Sequence, residues 1–397
     1  MSIEIQAYNV LFGDCLLLSW DENDGEHHAW IDFGNFSNDP NAVFSTVYEN
    51  VLTRTGGKLD LLVITHKHMD HLEGFYSLRD SIASDFTIES IWYAHVKAEL
   101  EDQFKIVEKT IQDRELIPKQ VRIGEGFLGQ LYQKNFGIQE LTMDDRMDKF
   151  FEKFPNDKIH PVYRGINTNN ILPHGVNKLK IEILAPEKDS SVYFEPLEES
   201  LRVRQKLDDQ LDRRDAGKKT LEPEVPHAQN ELWDMGEYPW NELADFARLR
   251  RKLQSGGIDL LQAADKTRNN TSVVLALTYE GKRIFLTGDA EEKSWEVMKD
   301  KHNDDVFISD LIKVAHHGSI NASPSWSYGK VFPDIKSSNR IIISTDRNRY
   351  PKEKYDNEVP KDEVIEEWKR RLTDTSAHFK RTDDVELGKS VLEKYNE

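Results

Sequence analysis

The sequence predicts an α/β protein whose buried strands end in polar turns. Strand-like runs dominate the first third of the chain, and helical patterns follow them. The run Leu59–Ile64 is continuously apolar, which is typical of a strand buried on both faces of a sheet. It stops at Thr65, where a very polar, histidine-rich turn begins. Sandwiched α/β sheets place functional side chains at such carboxyl ends of strands.

Apolar spacing and turn residues predict the elements in chain order. The predicted strands are Ile3–Leu11, Cys15–Trp20, His28–Phe33, Leu59–Ile64, Ile88–Ala94, Lys178–Leu184, Thr271–Tyr279, Arg283–Thr287, Leu311–Ala315 and Ile341–Ser344. The predicted helices are Asn41–Leu52, Gly74–Ala83, Val96–Arg114, Met143–Phe154 and Val364–Leu372, the last followed by a short polar tail. Glu280-Gly281-Lys282 is a hairpin signal between two of the strands.

A charged segment interrupts this pattern between Glu187 and Asp265. It has few strand signals, and its stretches Ser200–Arg214 and Asn241–Leu253 have the spacing of amphipathic helices. We interpret residues 187–265 as a helical insertion within one domain that spans residues 1–397. If the protein works with a protein partner, this insertion is the expected contact.

The composition of the chain limits the cellular location and the binding partners that we expect. The chain has 397 residues and a net charge of -18, and a field of that sign repels nucleic-acid phosphates. Metal ions in a cleft can reverse that sign locally, so a nucleic-acid substrate is retained. The single cysteine, Cys15, lies in an apolar run and is expected to be a buried core thiol. With no leader-like N-terminus and no membrane-length apolar run, we expect a cytoplasmic protein without a membrane partner.

Three predicted strands end in residues that bind metals. Thr65 is followed by His66-Lys67-His68-Met69-Asp70-His71, which places three imidazoles and a carboxylate on one turn. Such groups are the ligands that zinc and similar ions prefer. A histidine-rich surface loop is the alternative interpretation. Gly288-Asp289 and His316-His317 are weak signals alone, but three strand ends with this chemistry favour a metal site.

His66-Lys67-His68-Met69-Asp70-His71 resembles the His-x-His-x-Asp-His signature of the metallo-β-lactamase superfamily. Flanking segments resemble more specifically the hydrolase domain of competence-type DNA-uptake channel proteins, which suggests a bacterial origin. These segments are Val10–Leu18, Ile31–Gly34, Ile183–Pro186, Asn269–Leu275, Phe285–Glu292, Lys313–Ser319 and Lys380–Asp383. The match runs in order along the chain and is interrupted by the charged segment.

The resemblance implies a four-layer αββα sandwich with two metal ions, zinc or alternatively manganese, at one edge. It implies metal ligands at His66 and His68 for the first ion, at Asp70 and His71 for the second, at Asp289 between them, and at His316 or His317 to complete the second site. Asp32 matches an aspartate that supports the loop beneath the metals. A hydroxide held between the ions would be the nucleophile, with Asp70 orienting it. Ser319 could contact a substrate oxyanion, or could simply hydrogen-bond within its own turn.

The sequence departs from the family pattern in two places. A third histidine ligand for the first metal is not obvious; His95 is the preferred candidate, ahead of His174 and His227, and each is otherwise a surface or loop histidine. Asn348–Pro351 has no histidine near its tyrosine, which puts a secondary substrate contact in doubt.

Three hypotheses follow for the function. A phosphodiesterase or nuclease is favoured by the resemblance and by the suitability of two metals for displacement at phosphorus. A hydrolase of a small ester, lactone, amide or cyclic nucleotide would use the same metals, with the insertion over its pocket. A non-catalytic interaction module is the third. Candidate phosphate-binding cations are Lys266, Arg268, Arg248, Arg250, Arg251 and Lys252, although on an acidic protein such residues more often form a solvated helix face.

Overall fold

The computed structural model describes residues 2–35, 41–112, 141–195, 197–202, 258–346 and 359–396. The strands are β1 (Ser2–Tyr8), β2 (Cys15–Asp21), β3 (Glu26–Phe33), β4 (Lys58–Ile64), β5 (Thr87–Ala94), β6 (Ile159–Val162), β7 (Lys180–Ala185), β8 (Val274–Tyr279), β9 (Lys282–Leu286), β10 (Leu311–Lys313), β11 (Arg340–Ile343), β12 (Phe379–Arg381) and β13 (Ser390–Asn396). The helices are Asn41–Thr55, Met69–Ser77, Arg79–Asp85, Ala98–Gln112, Met143–Phe151, 197–202, 258–270, Glu292–Lys301, Ser325–Val331, Asp362–Lys369 and Thr375–His378.

A seven-stranded sheet has the order β13-β1-β2-β3-β4-β5-β6. Its first four strands pair antiparallel, whereas β3, β4, β5 and β6 run parallel. Leu62, Val63 and Ile64 of β4 are fully buried, as their uninterrupted apolar pattern predicts. The carboxyl end of this central strand therefore delivers the histidine-rich turn to one edge of the sheet.

The second sheet has six strands in the order β12-β11-β10-β9-β8-β7. The hairpin between β8 and β9 turns at Glu280 and Gly281, with φ of 46° and 77° respectively. Positive φ at both central residues is the geometry that matches the twist of paired strands. From β9 to β12 the strands are parallel, so Asp289 after β9 and His317 after β10 follow neighbouring carboxyl ends.

Three hydrophobic clusters hold these layers together. The first contains side chains of both sheets, including Ile31, Val63, Leu275 and Ile342. The second joins the seven-stranded sheet to helices 41–55, 69–77, 79–85 and 143–151. The third joins the six-stranded sheet to helices 292–301, 325–331 and 362–369. Each sheet thus has one face toward the other sheet and one face covered by helices. Within the described ranges, no helix has the length and apolar character needed to cross a membrane.

The chain end differs from its predicted polar tail. After helix Asp362–Lys369 come β12 and then β13, which pairs antiparallel with β1 from Ser2↔Asn396 to Tyr8↔Ser390. In β13, buried Val391 and Glu393 alternate with exposed neighbours, because successive side chains of a strand point to opposite faces of the sheet. A tail-like charge content hid this two-residue period, which is the actual strand signal.

Most of the predicted insertion lies outside the described residues, including Asn241–Leu253, His227 and the cations Arg248, Arg250, Arg251 and Lys252. Its described parts are residues 187–195, 197–202 and 258–265. Residues 258–270 form one continuous helix, so the boundary predicted at Asp265 falls inside a helix. Asn348–Pro351 is likewise outside the described residues.

Candidate metal centre

Four buried side chains converge at the shared edge of the two sheets. They are Asp70, His71, Asp289 and His317, and one ligand atom from each lies within 4.8 Å of all the others. His71 Nε2 is 3.1 Å from Asp289 Oδ2, and His317 Nε2 is 3.2 Å from Asp70 Oδ2. His317 Nε2 is also 3.7 Å from Asp289 Oδ2. Two ligands about 2.1 Å from one tetrahedral zinc ion lie about 3.4 Å apart, so this spacing suits a shared cation.

His66 and His68 form a second convergence beside the first. His66 Nε2 is 3.1 Å from His68 Nδ1, and the ring of His66 lies 4.1 Å from the ring of His71, between centroids. Burial is the main cause that lowers the pKa of both imidazoles, to about 3 for His68. Both rings are therefore neutral at physiological pH, which is the form that binds metals.

Three of the four imidazoles are held at the ring nitrogen that faces away from the centre. Asp32 Oδ2 is 2.8 Å from His71 Nδ1, and the carbonyl oxygen of Ser344 is 3.1 Å from His317 Nδ1. Thr65 Oγ1 is 3.2 Å from His66 Nδ1 and donates to Asp32, so it accepts from the histidine. Metal-binding histidines are characteristically fixed in this way.

The fourth imidazole, His68, has its other nitrogen, Nε2, buried without a hydrogen bond among the described residues. Asp265 Oδ1 is 3.6 Å from His68 Nε2. A buried imidazole nitrogen without a partner is costly unless a cation or another group satisfies it. The converging imidazoles and carboxylates therefore fit metal ions.

Local backbone geometry supports this arrangement. Asp32 and His317 have φ of 54° and 52°, a left-handed conformation that side chains rarely adopt and that concentrates at functional sites. Gly34 lies against the start of helix Met69–Ser77, where a Cβ would be 2.4 Å from backbone atoms of Asp70 and His71. Only glycine allows the backbone at this position to lie so close to the first helical turn, which carries Asp70 and His71.

Asp289 lies between positive groups. Lys313 Nζ, itself buried, is 3.5 Å from Asp289 Oδ1, and pairs with the buried carboxylate of Asp14. Burial opposes ionisation of Asp289, but His71, His317 and Lys313 hold its pKa well below its usual value. In the same way, burial lowers the pKa of His71, but the carboxylates of Asp289, Asp32 and Asp70 raise it well above the usual value. The buried carboxylates of Asp14, Asp32, Asp70 and Asp289 outnumber the cations Lys313 and His71, and a bound metal cation would offset this excess of negative charge.

The structure separates the remaining predicted site residues from this convergence. Of the adjacent histidines, His317 lies in the group, whereas His316 points to Glu291, with Nδ1 3.0 Å from Oε1. The hydroxyl of Ser319 donates to Asn321 in its own turn. His95 is half-buried, packs on Tyr163 with ring centroids 5.2 Å apart, and belongs to neither ligand group found among the described residues.

Sequence reasoning missed three charged residues around the centre. The motif resemblance gives Asp14 and Lys313 no role of their own, and their buried pairing brings together residues 299 positions apart in the chain. In the sequence, Asp265 marks only the end of the predicted insertion. Its only sequence signal is its position within a helical pattern just before Asn269. Nothing near it in the sequence predicts that this turn of the helix faces His68.

A small pocket opens beside His66. Its apolar wall is formed by Ala94, Val96, Phe104 and Phe194. Its polar wall is charged but paired: Lys67 Nζ is 2.7 Å from Glu101 and 2.6 Å from Asp144, and Arg268 is 3.3 Å from Asp144. The guanidinium of Arg268 also stacks on Phe104, with Cζ 3.9 Å from the ring centroid. The pocket therefore offers an apolar surface with little net charge.

No model of a protein family matches the chain, and no curated protein sequence does. Among solved structures, the chain is similar to the metallo-β-lactamase fold protein YhfI from Bacillus subtilis, with a TM-score of 0.40 and 10% identity over 99% of each chain. The TM-score and the identity are both too low to assign a family or an activity to this chain.

Proposed function

We propose that this protein is a metal-dependent hydrolase of the metallo-β-lactamase fold. The observation that carries the proposal is the convergence of Asp70, His71, Asp289 and His317 in one buried group beside His66 and His68. The sequence motif and the three-dimensional arrangement both support metal ligands at Asp70, His71 and Asp289.

The layers support the fold part of the proposal. Helices cover the outer face of each sheet, and one hydrophobic cluster contains side chains of both inner faces. This order is what a four-layer αββα sandwich requires. In addition, the metal-binding residues follow the carboxyl ends of β4, β9 and β10, which meet at one edge.

Each residue has a distinct role in the proposed centre. His66 Nε2 and His68 Nδ1 would hold the first ion; Asp70, His71 and His317 would hold the second, and Asp289 would contact both. Divalent ions here would polarise a substrate oxygen and lower the pKa of a water molecule to ~7. Asp32, Thr65 and Ser344 keep the ligand rings oriented. Lys313 and Asp14 set the charge behind Asp289.

The surroundings favour a small ester or lactone over a nucleic-acid strand. Asp265 faces His68, and Glu291 lies against His316, so acidic side chains rather than unpaired lysines or arginines border the described part of the centre. The cations Lys67 and Arg268 of the adjacent pocket are paired with Glu101 and Asp144. An apolar wall beside His66 suits an uncharged substituent rather than a phosphate backbone. The sequence-based preference for a phosphodiester remains a prediction from the resemblance.

The test combines metal analysis with a substrate panel. The full chain would be loaded with Zn²⁺ or Mn²⁺ and assayed on p-nitrophenyl esters, a lactone, bis(p-nitrophenyl) phosphate and end-labelled DNA. We expect metal-dependent hydrolysis of the esters or lactone that Asp289→Asn abolishes. Cleavage of DNA that Asp289→Asn also abolishes would instead support the nuclease. Absence of metal binding and of hydrolysis would refute the proposed function.

Adjacent histidines supply a matched control. His317→Gln should lower the zinc content by about one ion per chain, because it removes a ligand of the second site. His316→Gln, which changes the neighbouring residue in the same way, should leave the zinc content unchanged. Equal effects of the two substitutions would contradict the proposed ligand set.

A further inference from the structure

We propose that Asp265 is a positioning residue of the metal centre and holds His68 through Nε2, so that Nδ1 faces the first ion. The proposal rests on the metal-dependent function above. It assigns a role to a helical residue outside the His-x-His-x-Asp-His motif, on the side of the centre where the sequence shows no obvious third histidine.

The geometry of His68 gives the direction of this role. Nδ1 points to His66 Nε2 at 3.1 Å, so the lone pair available to a shared ion is on Nδ1. A neutral imidazole that binds through Nδ1 carries its proton on Nε2. That nitrogen is buried without a hydrogen bond among the described residues, and Asp265 Oδ1 lies 3.6 Å away. A hydrogen bond would require an approach of only about 0.5 Å.

Comparison with the other ligand rings strengthens the assignment. His66, His71 and His317 each have an oxygen between 2.8 and 3.2 Å from the nitrogen that faces away from the centre. His68 alone among these four has no such bond in the described structure, and the side chain that faces its free nitrogen is a carboxylate. Asp265 therefore occupies for His68 the position that Asp32 occupies for His71.

The helix that carries Asp265 is fixed on both sides of it. Leu260, Leu261 and Ala264 are buried in a cluster with Phe104 and Phe194. One turn further on, Arg268 pairs with Asp144 and stacks on Phe104. The Asp265 side chain is 14% exposed and lies near the acidic groups of Asp70, Asp289 and Glu291. Such a carboxylate is unfavourable there unless cations are bound nearby.

The experiment measures zinc affinity rather than turnover. The metal-free full chain would be titrated with Zn²⁺ against a chromophoric chelator, for the parent, Asp265→Ala and Asp265→Asn. For Asp265→Ala we expect one of the two ions to bind about 10–100-fold more weakly, which is the usual effect of removing a partner of a ligand histidine. Asp265→Asn keeps an acceptor oxygen and should lose less affinity. The other ion should bind as in the parent.

Asp259→Asn is the matched control, because it removes the same charge from an exposed position on the same helix. It should bind zinc as the parent does.

Unchanged affinity in Asp265→Ala overturns the inference and leaves the proposed function intact. If Asp265→Ala only lowers the unfolding temperature of the metal-free chain, the role of Asp265 is merely structural. Complete loss of one ion would place Asp265 among the ligands and overturn the positioning role. A parent chain that binds no divalent ion refutes both proposals.

Discussion

The carboxylate of Asp32 lies behind His71 and fixes the direction in which this histidine faces. Asp32 Oδ2 is 2.8 Å from His71 Nδ1, and the opposite nitrogen, Nε2, is 3.1 Å from Asp289 Oδ2. Asp32 also accepts hydrogen bonds from the backbone N–H and the hydroxyl of Thr65. The same carboxylate therefore links the end of β4 to His71 in the helix that follows.

Asp32→Asn should weaken zinc binding with a much smaller effect on folding. The amide has nearly the same shape, but its NH₂ group can donate to His71 Nδ1, which would move the histidine proton to Nε2, toward the metal. A ligand in the wrong tautomer binds poorly, so we expect an affinity loss of about 10–100-fold. Chelator competition with Zn²⁺ measures this loss.

Asp60→Asn is a suitable control for the Asp32 variant. Asp60 makes a similar contact, with Oδ1 2.8 Å from His27 Nδ1, but away from the ligand group. It should leave zinc affinity unchanged. If Asp32→Asn binds zinc as tightly as the Asp60 variant, the orienting role of Asp32 is wrong.

Lys313 should be essential for stability only while Asp14 is charged. Both side chains are 1% exposed, and Lys313 also donates to the carbonyl of Gly288 at 3.1 Å. Lys313→Met leaves the Asp14 carboxylate buried without its cation, which costs about 3–5 kcal/mol of unfolding free energy. Urea denaturation of the metal-free chain measures this cost.

The double variant Lys313→Met/Asp14→Asn separates charge from packing. It removes both charges, so it should be more stable than Lys313→Met alone. A double variant as unstable as the single one would show that Lys313 acts through packing instead of through its charge.

The sequence predicted several strands of the seven-stranded sheet because their apolar runs are long and clearly bounded. The structure confirms strands at Cys15–Asp21, Lys58–Ile64 and Thr87–Ala94 close to their predicted ends. Local patterns also brought His66, His68, Asp70 and His71 together, since these residues share one turn. Their assignment as metal ligands stays a prediction that the described geometry supports.

Local sequence patterns do not show which residues from distant parts of the chain pair in the fold. Nothing around Asp265 indicates that it faces His68, and nothing around Asp14 indicates Lys313 as its partner. The choice between His316 and His317 depends on two successive left-handed residues, with φ of 44° and 52°. That backbone geometry directs adjacent side chains to different partners, and the sequence His-His-Gly does not specify which.

Cys15 should be inert toward thiol reagents in the native protein. It is fully buried, as its apolar run predicted, and it accepts a hydrogen bond from Trp30 Nε1 at 3.3 Å. Burial raises the pKa of its thiol far above the usual range, so the reactive thiolate is suppressed. Titration with Ellman's reagent should detect no thiol in native buffer and one in denaturant. Rapid native labelling would contradict the buried position.

His27 should make stability depend on pH through a site remote from the ligand group. Burial lowers its pKa, but Asp24 at 3.0 Å from Nε2 and Asp60 at 2.8 Å from Nδ1 more than reverse this, and the net pKa is raised. A raised folded-state pKa means that the folded protein binds the proton more tightly than the unfolded chain. The stabilisation is therefore complete below the unfolded pKa of about 6.5 and is lost as pH rises through the folded pKa.

Denaturant unfolding at pH 6 and pH 9 measures this contribution of His27. The free energy of unfolding should decrease more between these pH values for the parent than for His27→Gln, since only the parent has this proton to lose. His160→Gln is the control, because burial lowers the pKa of His160 and the opposite linkage applies. An equal decrease in the parent and in His27→Gln would show that His27 does not hold an additional proton in the folded state.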